Sequence, residues 1–171
     1  MIPIHIEKRT LRTFSVAPEK AEREESAEFR ATKHRLKEDG HFCCYICGST
    51  EELQVHHRIY HMFGNLIDFG KLKEFCEDWD VYGYGRLLKN SPITTIDDIR
   101  NTMVLCQDHH TGTSDEVDGG TGIHNLPIGE FMMQKLALPG CNPIPQDGES
   151  FEEAMERVRQ HQKRGEQADN E

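Results

Sequence analysis

Cys44 and Cys47 stand two residues apart, the adjacent imidazoles His56 and His57 follow, and a second two-residue gap separates Cys106 from His109, with His110 directly after it. Asn101 lies just upstream of that second knuckle and His124 further downstream. Thiolate and imidazole are the usual ligands of zinc, and a structural zinc takes four of them in a tetrahedron. Cys44, Cys47, Cys106 and His109 supply such a set, with His110 as the alternative fourth ligand. His56, His57, His110 and His124 then exceed what a structural ion needs. Histidines in excess beside a zinc clasp suit hydrolysis, in which some hold a divalent cation and a neutral imidazole, near its ordinary pKa of ~6.5, takes a proton from water. A phosphodiester is the substrate that this division suits, because the cation offsets charge on the phosphate and on the leaving oxygen. Asn101 offers an amide to hold an imidazole or its loop. Neighbours on a strand point to opposite sides, so His56 and His57 converge on one site only if the strand frays at its end.

The elements that must carry these residues are legible from pattern. Leu53, Val55 and the residues after them alternate like a half-buried strand, with Gly48 allowing the tight turn of the first knuckle. Met103-Val104-Leu105 reads as a second strand leading into Cys106. Between His57 and Asn101 lie 43 residues. Within them Leu72, Phe75, Cys76 and Trp79 recur at helical spacing, and Tyr82-Gly83-Tyr84-Gly85 reads as a loop. Upstream, Ile2 to Ile6 alternates like a short edge strand, and Pro18 to Asp39 reads as a charged helix closed by Gly40. Its apolar face is thin (Phe29, Leu36), so a mostly solvated or partner-bound helix is expected. Downstream, Thr111 to Gly122 is a Gly-rich acidic loop, as if a short insertion had opened a tighter turn leading to His124. A helix is expected over Glu130 to Leu138, then a Pro-containing linker, and then a last helix whose Ser150 and Glu153 form a capping box. Phe151, Ala154, Met155 and Val158 should be its buried face, with a disordered tail after Gly165.

The bulk composition agrees with one modest domain. The chain has 171 residues with 36% apolar and 29% charged side chains, and no apolar run approaches the ~18 residues of a membrane span. Met1 to Phe14 lacks the apolar stretch of a secretory signal, so a cytoplasmic setting is expected. In that reducing setting the six cysteines favour metal over disulfides, and Cys76, on an apolar stripe, should be a buried small hydrophobe. The net charge of -10 opposes a tight grip on nucleic acid, since phosphate contacts come from Lys and Arg. Residues 1–40 carry nine basic and eight acidic side chains, whereas residues 41–125 carry six and thirteen. The acidic excess thus begins at the motif region, and a weak or partner-assisted hold on DNA is expected.

In order and local context, Cys44-x2-Cys47-Gly48, Leu53-x-Val55-His56-His57-Arg58-Ile59 and Asn101-x2-Val104-Leu105-Cys106-x2-His109-His110 resemble the zinc-knuckle branch of the HNH endonucleases, including small stand-alone members carried by bacteriophages. The likeness covers roughly Cys44 to His110. It implies a ββα-metal core, which with the flanking patterns gives an α+β chain: an N-terminal strand and charged helix over residues 1–40, the HNH domain over 41–138 with a helical insert at about 60–100, and a linker, helix and tail over 139–171. It implies a structural Zn2+ on Cys44, Cys47, Cys106 and His109, and a catalytic Mg2+, Mn2+, Ni2+ or Zn2+ on His56 and His110, with His124 as an additional ligand. It makes His57 the general base, Asn101 the middle residue of the motif, and His110 a ligand to the metal or the scissile phosphate. DNA is the implied partner, with no membrane involved. The departures are His109 where the family has cysteine, the long insert, and the acidic loop after His110. A different class of function also fits, a non-catalytic zinc-knuckle module that binds a protein, and so does a nuclease recruited to DNA by a basic partner. An RNA target is disfavoured, because no aromatic stacking platform is evident.

Overall fold

A computed structural model of the chain describes residues 25–59, 66–112, 122–126, 128–142 and 144–168. The expected edge strand at Ile2 to Ile6, the start of the charged helix at Pro18, most of the acidic loop and the last residues of the tail lie outside these. The architecture is mixed α and β, built around a two-stranded antiparallel sheet. No described helix is long and apolar enough to cross a membrane.

The sheet pairs β1 (Leu53–His57) with β2 (Thr102–Cys106). The register sets Leu53 opposite Cys106, Val55 opposite Val104 and His57 opposite Thr102. All five residues of β2 are buried, as its near-continuous apolar sequence requires. The first knuckle folds back onto this strand. Gly48 sits at φ +74°, its N–H donates to the Cys44 carbonyl, and the Tyr45 N–H donates to the Val104 carbonyl.

Helix α1 (Ala27–Glu38) starts later than its charge pattern suggests. Ser26 is extended and its Oγ accepts from the Phe29 N–H, which makes it the N-cap. The end is as expected: Gly40, at φ +77°, closes the helix, with His41 N–H donating to the Leu36 carbonyl and Gly40 N–H to that of Lys37. The helix is mostly exposed, as its thin apolar face predicts, with Thr32 and Leu36 buried. Leu36 is fully buried in a cluster with Tyr84, Ile99 and Val104, and Tyr84 Oη donates to Asp39.

The insert carries α2 (Phe69–Asp78) and α3 (Tyr84–Leu87). Leu72 and Cys76 of α2 are buried as their spacing predicts, while Trp79 is 40% exposed because the helix ends there. The expected loop at Tyr82 to Gly85 is instead the entrance to α3. The Asp80 carboxylate accepts from the N–H groups of Gly85 and Arg86, which satisfies the first turn. The main apolar cluster joins Ile59, Leu66, Ile67, Leu72, Cys76, Ile93 and Ile96 to Met133, Leu136, Ala137, Cys141 and Val158.

After β2 come the single turn α4 (Gln107–His110), a 3-10 turn at Ile123–Asn125, α5 (Ile128–Leu136) and α6 (Phe151–Ala168). Helix α5 ends two residues before the expected Leu138, because Ala137 leaves it to bridge Ile67. The capping box forms in both directions: Ser150 N–H donates to the Glu153 carboxylate, and Glu153 N–H donates to Ser150 Oγ. Ala154 and Val158 are buried, but Phe151 is 61% exposed, since the first residue of α6 projects past the core. The helix also continues through Gly165 to Ala168. The linker before it is pinned by Arg157, which forks onto Glu149 and donates to the carbonyls of Gly140 and Asn142.

Candidate metal centres

The hairpin gathers the knuckle residues at one end. Cys106 closes β2 and opens α4, so His109, three residues on, turns back over it. Cys44, Cys47, Cys106 and His109 present ligand atoms within 4.8 Å of one another, an arrangement that could hold a metal ion. Cys47 Sγ and Cys106 Sγ are 3.8 Å apart. Two vertices of a tetrahedron with Zn–S bonds of ~2.3 Å are separated by about 3.8 Å. His109 Nδ1 lies 3.7 Å from Cys44 Sγ and 3.2 Å from Cys106 Sγ, bracketing the ~3.6 Å expected between sulfur and nitrogen ligands. All six cysteines are free thiols. Burial opposes ionisation of Cys44, yet N–H donors from Cys106, Cys47 and Ile46 outweigh it and bring the thiol down to about 6. For Cys106 the His109 N–H favours the thiolate, but burial and the neighbouring Cys44 and Cys47 sulfurs prevail and hold it above its usual range. The donor set fits zinc.

A second group forms where α4 meets β1. Successive residues of a helix point about 100° apart, so His109 and His110 serve different neighbours. His56, His110 and His124 place ring nitrogens within 4.8 Å of one another and could also hold an ion. Their exposure increases in that order, from buried His56 to exposed His124. The His110 and His124 rings meet edge-on, with Nε2 atoms 2.9 Å apart. That separation suits a hydrogen bond between a protonated and a bare nitrogen. It also suits adjacent vertices of an octahedron, about 3.0 Å apart at bonds of ~2.1 Å. His110 is depressed to about 4, by burial first and by the adjacent His124 second, and burial lowers His124 too. Burial thus favours, at both, the neutral form that binds cations.

His124 reaches this group although the acidic stretch intervenes. A Cβ at Gly122 would lie under 3.0 Å from backbone atoms of His110, Thr111 and Gly112. The chain at Gly122 is thus pressed against the chain leaving α4, and His124 follows two residues later.

His57 does not join the cluster. β1 is paired through His57, so the strand does not fray there and its alternation sends His57 to the other side from His56. Its ring stacks on Phe29 at 4.5 Å and its Nε2 meets Asp97 Oδ1 at 2.8 Å. The expected convergence of His56 and His57 is therefore corrected to a group of His56, His110 and His124. Asn101, with no exposed surface, grips the loop rather than an imidazole. Its Oδ1 accepts from Ile59 N–H, and its Nδ2 donates to the carbonyls of Ile59 and Ile96.

Two further residues bear on the site and were not anticipated. Gln54 Oε1 meets His110 Nδ1; by accepting there it keeps the proton on Nδ1 and leaves Nε2 to face the cluster. Gln54 could have been found, since it stands two residues before His56 and shares its face of the strand. Asp97 could not, because its contact with His57 spans 40 residues of chain. Among known proteins, no family model matches the chain and no solved structure matches it.

Proposed function

We propose that the chain is a metal-dependent endonuclease of the HNH type that hydrolyses DNA phosphodiester bonds. In this reading β1, β2 and α4 form the ββα-metal core and Zn2+ on Cys44, Cys47, Cys106 and His109 clasps it. The observation that carries the reading is the group of His56, His110 and His124, which is separate from the thiol clasp and open to solvent through His124. A structural site is closed by its four ligands, whereas three protein ligands with an open side belong to catalysis. A divalent ion there (Mg2+, Mn2+, Ni2+ or Zn2+) would supply positive charge to the phosphate and the leaving oxygen.

His57 is the proposed general base. An in-line displacement needs attack and departure on opposite sides of phosphorus. Consecutive strand residues that point to opposite sides can place a base and a cation on different sides of one phosphate laid across the end of β1. Asn101 fixes the backbone from which both histidines leave. The acidic balance of the chain makes a basic partner that brings it to DNA part of the proposal.

The second reading, a non-catalytic zinc-knuckle module, is favoured by one observation: the His57 side chain is only 11% exposed beneath Phe29. Plasmid DNA incubated with the purified chain and Mg2+, Mn2+ or Ni2+ separates the two. Nicking or cutting that His57→Ala removes, with zinc content unchanged, supports the enzyme. Cutting by His57→Ala at the parent rate excludes His57 as the base. No cutting with any ion, in protein that holds its metals, leaves the module.

A further inference from the structure

We propose that Asp97, aimed by Ser26, is a positioning residue that fixes the direction and tautomer of His57. The inference deepens the hydrolytic reading and rests on it. Asp97 is held at every polar atom. Its Oδ1 meets His57 Nε2 at 2.8 Å, and its Oδ2 accepts from Ser26 Oγ at 2.6 Å. Its carbonyl accepts from Thr32 Oγ1 at 3.1 Å, and its N–H donates to Thr95 Oγ1 at 3.1 Å. The side chain is 4% exposed. An ionised carboxylate only accepts hydrogen bonds, so the Nε2 it faces carries the proton. A neutral imidazole protonated at Nε2 has its lone pair on Nδ1. Phe29, stacked at 4.5 Å and 19°, fixes the plane of the ring. Two of these restraints come from one turn of α1, since Ser26 both caps the helix by accepting from Phe29 N–H and donates its own proton to Asp97.

In the proposed reaction one proton passes from water to His57 Nδ1 as the water oxygen bonds to phosphorus. The bond to the leaving oxygen breaks, and that oxygen takes a proton from solvent. Asp97 stays ionised and stabilises the imidazolium through Nε2–H. A chain that lost Asp97 would keep His57 and its stack on Phe29 but not the acceptor that holds the proton on Nε2.

The test compares kcat and KM for Mg2+-dependent plasmid nicking by the full chain with Asp97→Asn and Ser26→Gly. An amide has one oxygen, and when Ser26 claims it the NH2 faces His57 and forces the other tautomer. Asp97→Asn is expected to lower kcat by about 10²-fold or more, with KM within about twofold and zinc content unchanged. Long-range 1H–15N spectra should show the His57 proton move from Nε2 to Nδ1. Ser26→Gly keeps an acceptable N-cap and should lower kcat by about three- to tenfold; it carries the test if Asp97→Asn fails to fold. A kcat within about threefold of the parent in both variants, or an unchanged His57 tautomer in Asp97→Asn, overturns the proposal. A parent chain inactive with every ion overturns it together with the hydrolytic reading, and the spectra then show whether the orientation itself was correct.

Discussion

Replacing Asn101 measures how firmly the end of β1 is anchored. The side chain is fully buried and makes three hydrogen bonds, accepting from Ile59 N–H and donating to the Ile59 and Ile96 carbonyls. Asn101→Ala leaves Ile59 N–H buried without that acceptor, a loss of ~1–3 kcal/mol, and removes donors from two carbonyls and packing from a filled site. Together these amount to roughly 3–5 kcal/mol, a large share of the ~5–15 kcal/mol of a typical domain. Asn101→Asp keeps the shape but turns the donor into a charged oxygen facing two carbonyls. Its folded pKa should therefore lie above the unfolded value of ~3.9. By linkage, whatever stability the protonated Asp keeps is fully present below the unfolded pKa and is lost as pH rises through the folded one. The Asp variant should thus be at least as unstable as the Ala variant at pH 7 and recover relative to it towards pH 4. Urea unfolding of the zinc-loaded protein, followed through the single tryptophan, reads both effects. Zinc content should not change, because Asn101 precedes the end of β2 opposite to Cys106. A loss below about 1 kcal/mol for Asn101→Ala, or an Asp variant more stable than the Ala variant at pH 7, would refute the reasoning.

Other outcomes follow from the same geometry. Metal analysis should find one tightly held zinc per chain and one exchangeable ion, and Cys47→Ser should remove the first. Gly122→Ala should weaken the exchangeable site at least about tenfold in a Mn2+ or Ni2+ titration while sparing the zinc, because its methyl would push His124 away from His110. In the metal-free chain His110 lies at about 4, so the unfolded state binds more protons between pH ~6.5 and 4 and stability should fall as pH falls through that window. His110→Asn should flatten that part of a pH series of melting temperatures. Arg157→Ala should lower the melting temperature more than Arg157→Lys, because lysine reproduces part of the contact with Glu149 but not the fork. Glu149, brought down to about 2 mainly by Arg157, ties the stability that this pair provides to pH above the ordinary carboxylate range, and that stability should be lost as pH falls towards 2.

What was legible in the sequence is what depends on short-range spacing. The two knuckles, the two strands, the Gly40 helix end and the Ser150–Glu153 cap all follow from residues a few positions apart, and each forms in the structure. What was not legible depends on contacts across the chain. Whether β1 frays at His57 is decided by its pairing with Thr102, and its partner Asp97 is brought in by the insert. The thin apolar face of α1 announced a mostly exposed helix, but not that Leu36 would pack with Tyr84, Ile99 and Val104. Tyr82 to Gly85 looked like a loop because its glycines obscured a turn that Asp80 completes from outside.

The contact at Gly122 detaches sequence distance from spatial distance. Because residues 112 and 122 meet at a common neck, the length of chain between them does not set the spacing of His110 and His124. The interval of sequence between the two histidines is therefore no measure of how far apart their rings lie. By the same token, a motif search that demands a fixed interval between the two histidines would pass over chains that build this centre with a different number of residues.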